Sequence, residues 1–146
     1  RQHFREFDFI WASPPCPTHS VLQLSHISDS DLKYPEMSLY QEIIFLKHFY
    51  KGKWVIENVK PYYEPLIEPS FKIGRHYFWS KEFMFMPDFA NYYNNDVSRD
   101  KKEDLAAMLG FNLSDIENKG VDCRKVLRNC VVPEIGKQIF DILMKV

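Results

Sequence analysis

Long apolar runs are missing from this sequence. Nothing in its 146 residues approaches the roughly 20 consecutive apolar residues needed to cross a bilayer, so no membrane-spanning helix is expected. An excess of charge of either sign is missing too. The 19 basic residues meet 20 acidic ones, a formal net of −1, which gives no global electrostatic pull toward nucleic acid. Cysteine is scarce. Cys16, Cys123 and Cys130 are too few and too scattered for a disulfide framework, and they lack the C-x-x-C spacing of a structural zinc site. The five histidines form no i, i+4 ligand pair with a neighbouring acid, so no metal is expected. There is no internal repeat and no low-complexity tract, and the charged opening Arg1-Gln2-His3-Phe4-Arg5-Glu6 is unlike a secretory signal. These exclusions leave a soluble protein, expected in the cytoplasm.

What is present is material for a core. Twelve Phe, eight Tyr and three Trp stand in a chain that is 45% hydrophobic and 27% charged, the balance of one globular domain or a large piece of one. The first residue is Arg1 rather than Met, and a strand-like run starts at Phe7. That reads as a fragment, with a natural N-terminal portion expected before it.

Phe7-Asp8-Phe9-Ile10-Trp11-Ala12 has the pattern of a strand buried on both faces of a parallel sheet. It stops at Ser13-Pro14-Pro15, because prolines cannot donate to a ladder. A loop to about Glu36 follows. Ser38 and Gln41 stand as a capping box for a helix with Leu39, Ile43, Leu46 and Tyr50 on one face and Gly52 as its C-cap. Lys53-Trp54-Val55-Ile56-Glu57 reads as a second buried strand, so strand, helix and strand imply a right-handed parallel crossover. Tyr77-Phe78-Trp79 and Phe83-Met84-Phe85-Met86 predict a hairpin closed by Pro87. Asp88 to Arg99 reads as an exposed loop, Lys101 to Leu109 as a helix stopped by Gly110, and Asp122 to Leu127 as a short helix. Pro133 opens a last helix, with Val132, Ile135, Ile139 and Ile142 on one face.

In a sheet of this kind, reactive groups sit past the carboxyl ends of the strands. Two such ends carry chemistry. At Ser13-Pro14-Pro15-Cys16-Pro17-Thr18-His19-Ser20 the prolines stiffen the turn, so Cys16 would be held in place above the sheet edge, where a thiolate is useful as a nucleophile. Taken alone, a single Cys is more often a small buried hydrophobe. At Glu57-Asn58-Val59 an acid ends an apolar strand, and a carboxyl kept partly neutral there can act as a general acid. Taken alone, such an acid more often caps the following turn. From Lys119 to Arg128, four basic residues (Lys119, Arg124, Lys125, Arg128) face one acid, Asp122. That stretch suits either phosphate contact or a solvated helix face.

Together, Ser-Pro-Pro-Cys at one strand end and Glu-Asn-Val at the next resemble the cytosine-C5 DNA methyltransferase family. Arg75-His76-Tyr77-Phe78 resembles the end of that family's arginine motif, and Arg128-Asn129-Cys130-Val131-Val132-Pro133 resembles its C-terminal Asn-x-Val motif. The four matches run in order from about residue 7 to the end.

The resemblance implies an α/β fold: part of a Rossmann-like S-adenosylmethionine-dependent methyltransferase domain, with a mostly parallel sheet and flanking helices. It implies transfer of a methyl group from S-adenosylmethionine to C5 of a cytosine flipped out of double-stranded DNA. Cys16 would attack C6, Glu57 would hydrogen-bond N3 and the exocyclic amine, and Arg75 would help hold the base. Pro15 and Asn58 would brace the active-site loop, and Ser20 would meet the DNA backbone. Asn129 and Val131 would belong to the cofactor side. Residues 1–86 would form the catalytic part, 87–127 a short target-recognition segment, and 128–146 a C-terminal helix returning to the catalytic part. Within the middle segment, the Tyr92-Tyr93-Asn94-Asn95 loop and the basic stretch through Arg128 are the expected DNA contacts. The protein would act as a monomer. Departures are Pro17 in place of Gln, Ile73 in place of the arginine motif's first Arg, and Arg128 in place of Gly or Gln. The family's glycine-rich cofactor loop has no counterpart before Phe7, so the fragment alone would be inactive. A tRNA-type cytosine-C5 methyltransferase and a non-catalytic nucleic-acid-binding remnant are the other readings of the same residues.

Overall fold

A computed structural model of the chain describes residues 3–20, 34–81, 101–117, 120 and 122–145. The chain divides into two compact units, Arg1–Tyr93 and Asn94–Val146.

The first unit is an α/β layer. After a 3₁₀ turn at Phe4–Glu6 come strand β1 (Phe9–Ala12), helix α1 (Ser38–Phe49), and strands β2 (Lys53–Val59), β3 (Phe71–Ile73) and β4 (His76–Ser80). The sheet order is β1-β2-β4-β3. β1 and β2 pair in parallel, with Phe9 opposite Lys53 and Ala12 opposite Ile56. The strand–helix–strand crossover expected here is therefore present. β4 pairs antiparallel with both β2 and β3. The expected mostly parallel sheet is thus corrected to a mixed one. The cause is local: the two-residue turn Gly74-Arg75, with Gly74 at φ 54°, reverses the chain at once, and such a turn can only make antiparallel neighbours. The second strand expected for the hairpin, Phe83 to Met86, lies outside the described residues, as do Pro87, the Asp88 to Arg99 stretch and most of the loop after Cys16.

β2 is one of the two interior strands, with Trp54, Val55, Ile56, Glu57 and Asn58 all buried. β1 is half-buried along its length rather than buried on both faces, and within the described sheet it stands at the edge. α1 lays Leu39, Tyr40, Ile43 and Leu46 onto Trp54, Ile56 and Trp79. Each such aliphatic side chain contributes roughly 1.5–3 kcal/mol by leaving water. The opposite sheet face carries Val55, Glu57 and Phe78. There Phe78 stacks on Phe71 with ring centroids 4.9 Å apart and meets the edge of Trp11 at 6.3 Å.

Two cap expectations are corrected. The N-cap of α1 is Met37, without a side-chain cap bond. Ser38 is already the first helical residue, so no capping box forms. The helix ends at Tyr50, not Gly52. Gly52 is small for another reason. A Cβ there would meet the Tyr50 phenol, with Cζ at 2.5 Å, and the Asp8 carbonyl at 2.9 Å. Tyr50 cannot swing aside, because its hydroxyl donates to the Phe7 carbonyl at 2.6 Å.

The second unit is helical: α2 (Lys102–Leu109), α3 (Leu113–Glu117), α4 (Cys123–Asn129) and α5 (Pro133–Lys145). Gly110 ends α2 as expected, at φ 71°. The Gly110 amide donates to Ala107 and the Phe111 amide to Ala106, the pair of bonds that makes a Schellman closure. Pro133 opens α5, and Val132, Ile135, Ile139 and Leu143 are buried. Leu143 replaces the expected Ile142. At about 100° per residue it falls nearer the middle of the stripe, while Ile142 lies on its flank. No described helix is long and apolar enough to cross a membrane.

Candidate active site

The parallel pairing of β1 and β2 brings both motif-bearing ends to the same end of the sheet. β1 stops at Ala12, opposite Ile56, so Ser13 comes level with Glu57. Glu57 is therefore inside β2 rather than past its end. It lies opposite Phe78 of β4 and one residue beyond the last β1–β2 pair. Ser13 fills the gap: its hydroxyl accepts from Trp11 Nε1 at 3.2 Å and hydrogen-bonds the Glu57 carboxyl.

Asn58 points to the other face and holds the turn. Its Nδ2 donates to the Pro14 carbonyl at 3.0 Å, and its Oδ1 accepts the Val59 amide at 2.9 Å. It is buried, so both ends of its amide need partners, and both are met by backbone. Pro15 is exposed and Cys16 half-buried just beyond. The Cys16 carbonyl accepts the amides of His19 at 3.0 Å and Ser20 at 3.2 Å, winding the segment into a turn. Ser20 then bridges Pro61 in antiparallel fashion, and the Tyr62 amide donates to the His19 carbonyl. The Cys16-bearing segment is thus tied to β2 at Asn58 and to the chain beyond β2 at Pro61 and Tyr62.

Burial dominates the electrostatics. Glu57 is 4% exposed, and desolvation pushes its carboxyl up to about 7, against the Ser13 hydrogen bond and the Arg75 guanidinium, which both pull it down. His76 lies next to it on the same sheet face. Its Nε2 is 3.6 Å from Glu57 Oε1. Desolvation and then Arg75 hold His76 down at about 3. Although the pair is close enough to be taken for an ion pair, it is not one at neutral pH, because the imidazole is uncharged there. The separation is also too long for a hydrogen bond. Arg75 occupies the β3–β4 turn, where its carbonyl accepts the Lys60 amide at 2.6 Å.

Cys16, Glu57, Arg75, Pro15, Asn58 and Ser20 therefore all belong to one end of the first unit's sheet. The other expected site residues belong to the second unit. Asn129 ends α4 and is exposed, Val131 is half-buried in the link to α5, and Arg124 is exposed on α4. Lys125 and Arg128 also fall within α4. Lys119 and the Tyr92 to Asn95 loop lie outside the described residues. Among the described residues no group of three or more His, Cys, Asp or Glu could hold a metal ion.

Sequence reading missed Ser13, His19 and His76 as parts of the site. The usable signal for His76 was the Gly74-Arg75 pair, a two-residue turn that fixes a hairpin and hence the side-chain register. Compared with protein-family models, with characterised proteins and with solved structures, the chain matches none of them.

Proposed function

We propose that this chain is the catalytic part of a Rossmann-like cytosine-C5 methyltransferase acting on double-stranded DNA. The observation that carries the reading is a carboxyl held up to about 7 in the strand beside the Ser13–Cys16 turn. A nucleophile alone cannot activate cytosine; an acid placed to meet developing charge on the ring is also needed. In this reading the Cys16 thiolate adds to C6 of a flipped-out cytosine while the Glu57 proton passes to N3. The ring electrons then reside at C5, which becomes nucleophilic. Once C5 has bonded to the electrophilic group it attacks, loss of the C5 proton to a water molecule, return of the N3 proton to Glu57 and cleavage of the C6–S bond restore the ring. Ser13 and Arg75 stabilise the carboxylate that Glu57 becomes in between, and Asn58 keeps the Cys16 segment in register with β2.

The methyl group in this reaction is supplied by S-adenosylmethionine when bound. The described residues do not form a cradle for it. Gly52 is packed against Tyr50, Gly74 and Gly110 serve a turn and a helix end, Gly120 lies between α3 and α4, and Gly136 lies inside α5. The chemistry derived from these residues is accordingly the activation of the base.

The test is covalent trapping. The full-length protein containing this chain, incubated with S-adenosylmethionine and a duplex carrying 5-fluorocytosine, is expected to give a denaturation-resistant adduct. Fluorine at C5 blocks the final elimination. The adduct should vanish in Cys16→Ser. An adduct on tRNA instead of DNA would move the substrate to RNA. Absence of an adduct on both would leave a non-catalytic nucleic-acid-binding module.

A further inference from the structure

His19 is 1% exposed although it sits three residues from Cys16 in a surface turn. Its Nδ1 is 2.6 Å from the Tyr63 hydroxyl. That hydroxyl accepts from the Tyr40 hydroxyl at 3.1 Å, and the Tyr40 hydroxyl accepts the Leu66 amide at 3.2 Å. With the Leu66 N–H donated to Tyr40 and the Tyr40 O–H donated to Tyr63, the Tyr63 O–H is the one left to reach Nδ1. His19 Nδ1 is then the acceptor and Nε2 carries the proton. Nε2 is buried and has no hydrogen-bond partner among the described residues.

The chain joins three segments that are distant in sequence: the turn after Cys16, helix α1 through Tyr40, and the connection between β2 and β3 through Tyr63 and Leu66. The backbone of His19 is equally committed, with its amide on the Cys16 carbonyl and its carbonyl on the Tyr62 amide. We infer that His19 is a positioning residue for Cys16, locked by the Tyr40–Tyr63 hydroxyl chain as the Nε2–H tautomer so that the nucleophile turn has one arrangement. This rests on the methyltransferase reading only for what Cys16 does; the anchoring itself does not. The charged or titratable groups facing His19 are Tyr63 by hydrogen bond, Tyr40 by an edge-on ring contact at 6.4 Å and Glu36 by charge. Burial outweighs Glu36 and holds the ring neutral. A neutral imidazole can keep accepting from Tyr63, whereas a protonated one cannot.

Two measurements on the full chain test this. Long-range ¹H–¹⁵N correlation spectra, with His19→Gln for assignment, should show an imidazole protonated at Nε2 and bare at Nδ1. That pattern should persist below the ordinary histidine midpoint of about 6.5. A proton on Nδ1 in the wild-type protein overturns the inference without any variant. Second, the alkylation rate of Cys16 by iodoacetamide is read by peptide mass spectrometry, with Cys130 of the second unit as internal reference. Tyr63→Phe should raise the Cys16 rate about fivefold, the increase in turn opening expected from one lost hydrogen bond, and leave Cys130 unchanged. It should also add to the Cys16 rate–pH profile a step from the His19 released to titrate. A Cys16 rate and profile matching wild type would sink the proposal. Because neither readout needs methyl transfer, failed trapping with 5-fluorocytosine would overturn the enzyme reading and leave the anchored turn standing.

Discussion

At the scale of single residues, the molecule shows how close packing turns an ordinary position into a demanding one. Gly52 adopts no unusual backbone, yet a methyl group there would drive into a phenol fixed by its bond to Phe7 and into the Asp8 carbonyl, which also accepts the Lys53 amide at 3.2 Å. Overpacking of this kind costs about 1–3 kcal/mol. Gly52→Ala is therefore expected to lower unfolding stability by about 2 kcal/mol or more, read by urea titration, once the displaced Tyr50 hydrogen bond is included. A neutral result would mean that Tyr50 is free to move. The same scale explains what was hard to read in the sequence. Glu57 and Cys16 stood out because each is a reactive type at a strand end. Ser13 and His76 did not, because their bearing on Glu57 comes from cross-strand register, which the one-dimensional string does not carry. His19 was hidden in the same way: its partners, Tyr40 and Tyr63, lie far along the chain.

At the scale of elements, apolar patterning was the reliable guide. β1 and β2 lie where short apolar runs predict strands, and α2 lies where Gly110 stops a helix. α1 and α5 lie where a one-sided apolar stripe predicts them, because burying that stripe is what stabilises a surface helix. β3 was missed. It has three residues, the middle one an exposed lysine, and is held by β4 rather than by a pattern of its own. α3, with five residues, is likewise too short to display a period. β2 was read two residues short, because Asn58 and the acid before it look like a strand end while the pairing with β4 continues to Val59. α5 gives the prediction at this scale. Ile139 is fully buried in the middle of its stripe, so Ile139→Ala should cost about 2–5 kcal/mol through lost burial and the cavity left behind. Ile142→Ala, on the flank, should cost clearly less. Equal losses in thermal or urea unfolding would mean that the stripe is centred elsewhere.

At the scale of the whole molecule, two buried groups shape the dependence of stability on pH. Unfolded, Glu57 ionises near 4.5 and His76 near 6.5; folded, they sit near 7 and 3. Between 4.5 and 6.5 the unfolded chain keeps one proton, on His76, and the folded chain also keeps one, on Glu57. Proton counts match, so their joint contribution is level there. Above 6.5 the folded state holds the extra proton until about 7, and stability falls as pH rises. From 4.5 down toward 3 the unfolded state holds the extra one, and stability falls as pH drops. Glu57→Gln removes one side of the balance. Between 4.5 and 6.5 the variant's stability should rise with pH more steeply than the wild type's, by about 1.4 kcal/mol per pH unit. Urea unfolding at a series of pH values reads this directly, and a slope in Glu57→Gln equal to that of the wild type would rule out the assignment.

The three tryptophans, Trp11, Trp54 and Trp79, all belong to the Arg1–Tyr93 unit, and four of the five described α-helices belong to the other. Intrinsic emission therefore watches one half of the molecule, while far-ultraviolet ellipticity is weighted toward the other half. The protein thus carries its own pair of optical probes. Superimposable denaturation curves from the two signals would mean that both units melt as one cooperative body. Separated curves would give each unit its own midpoint, without a label or a truncation.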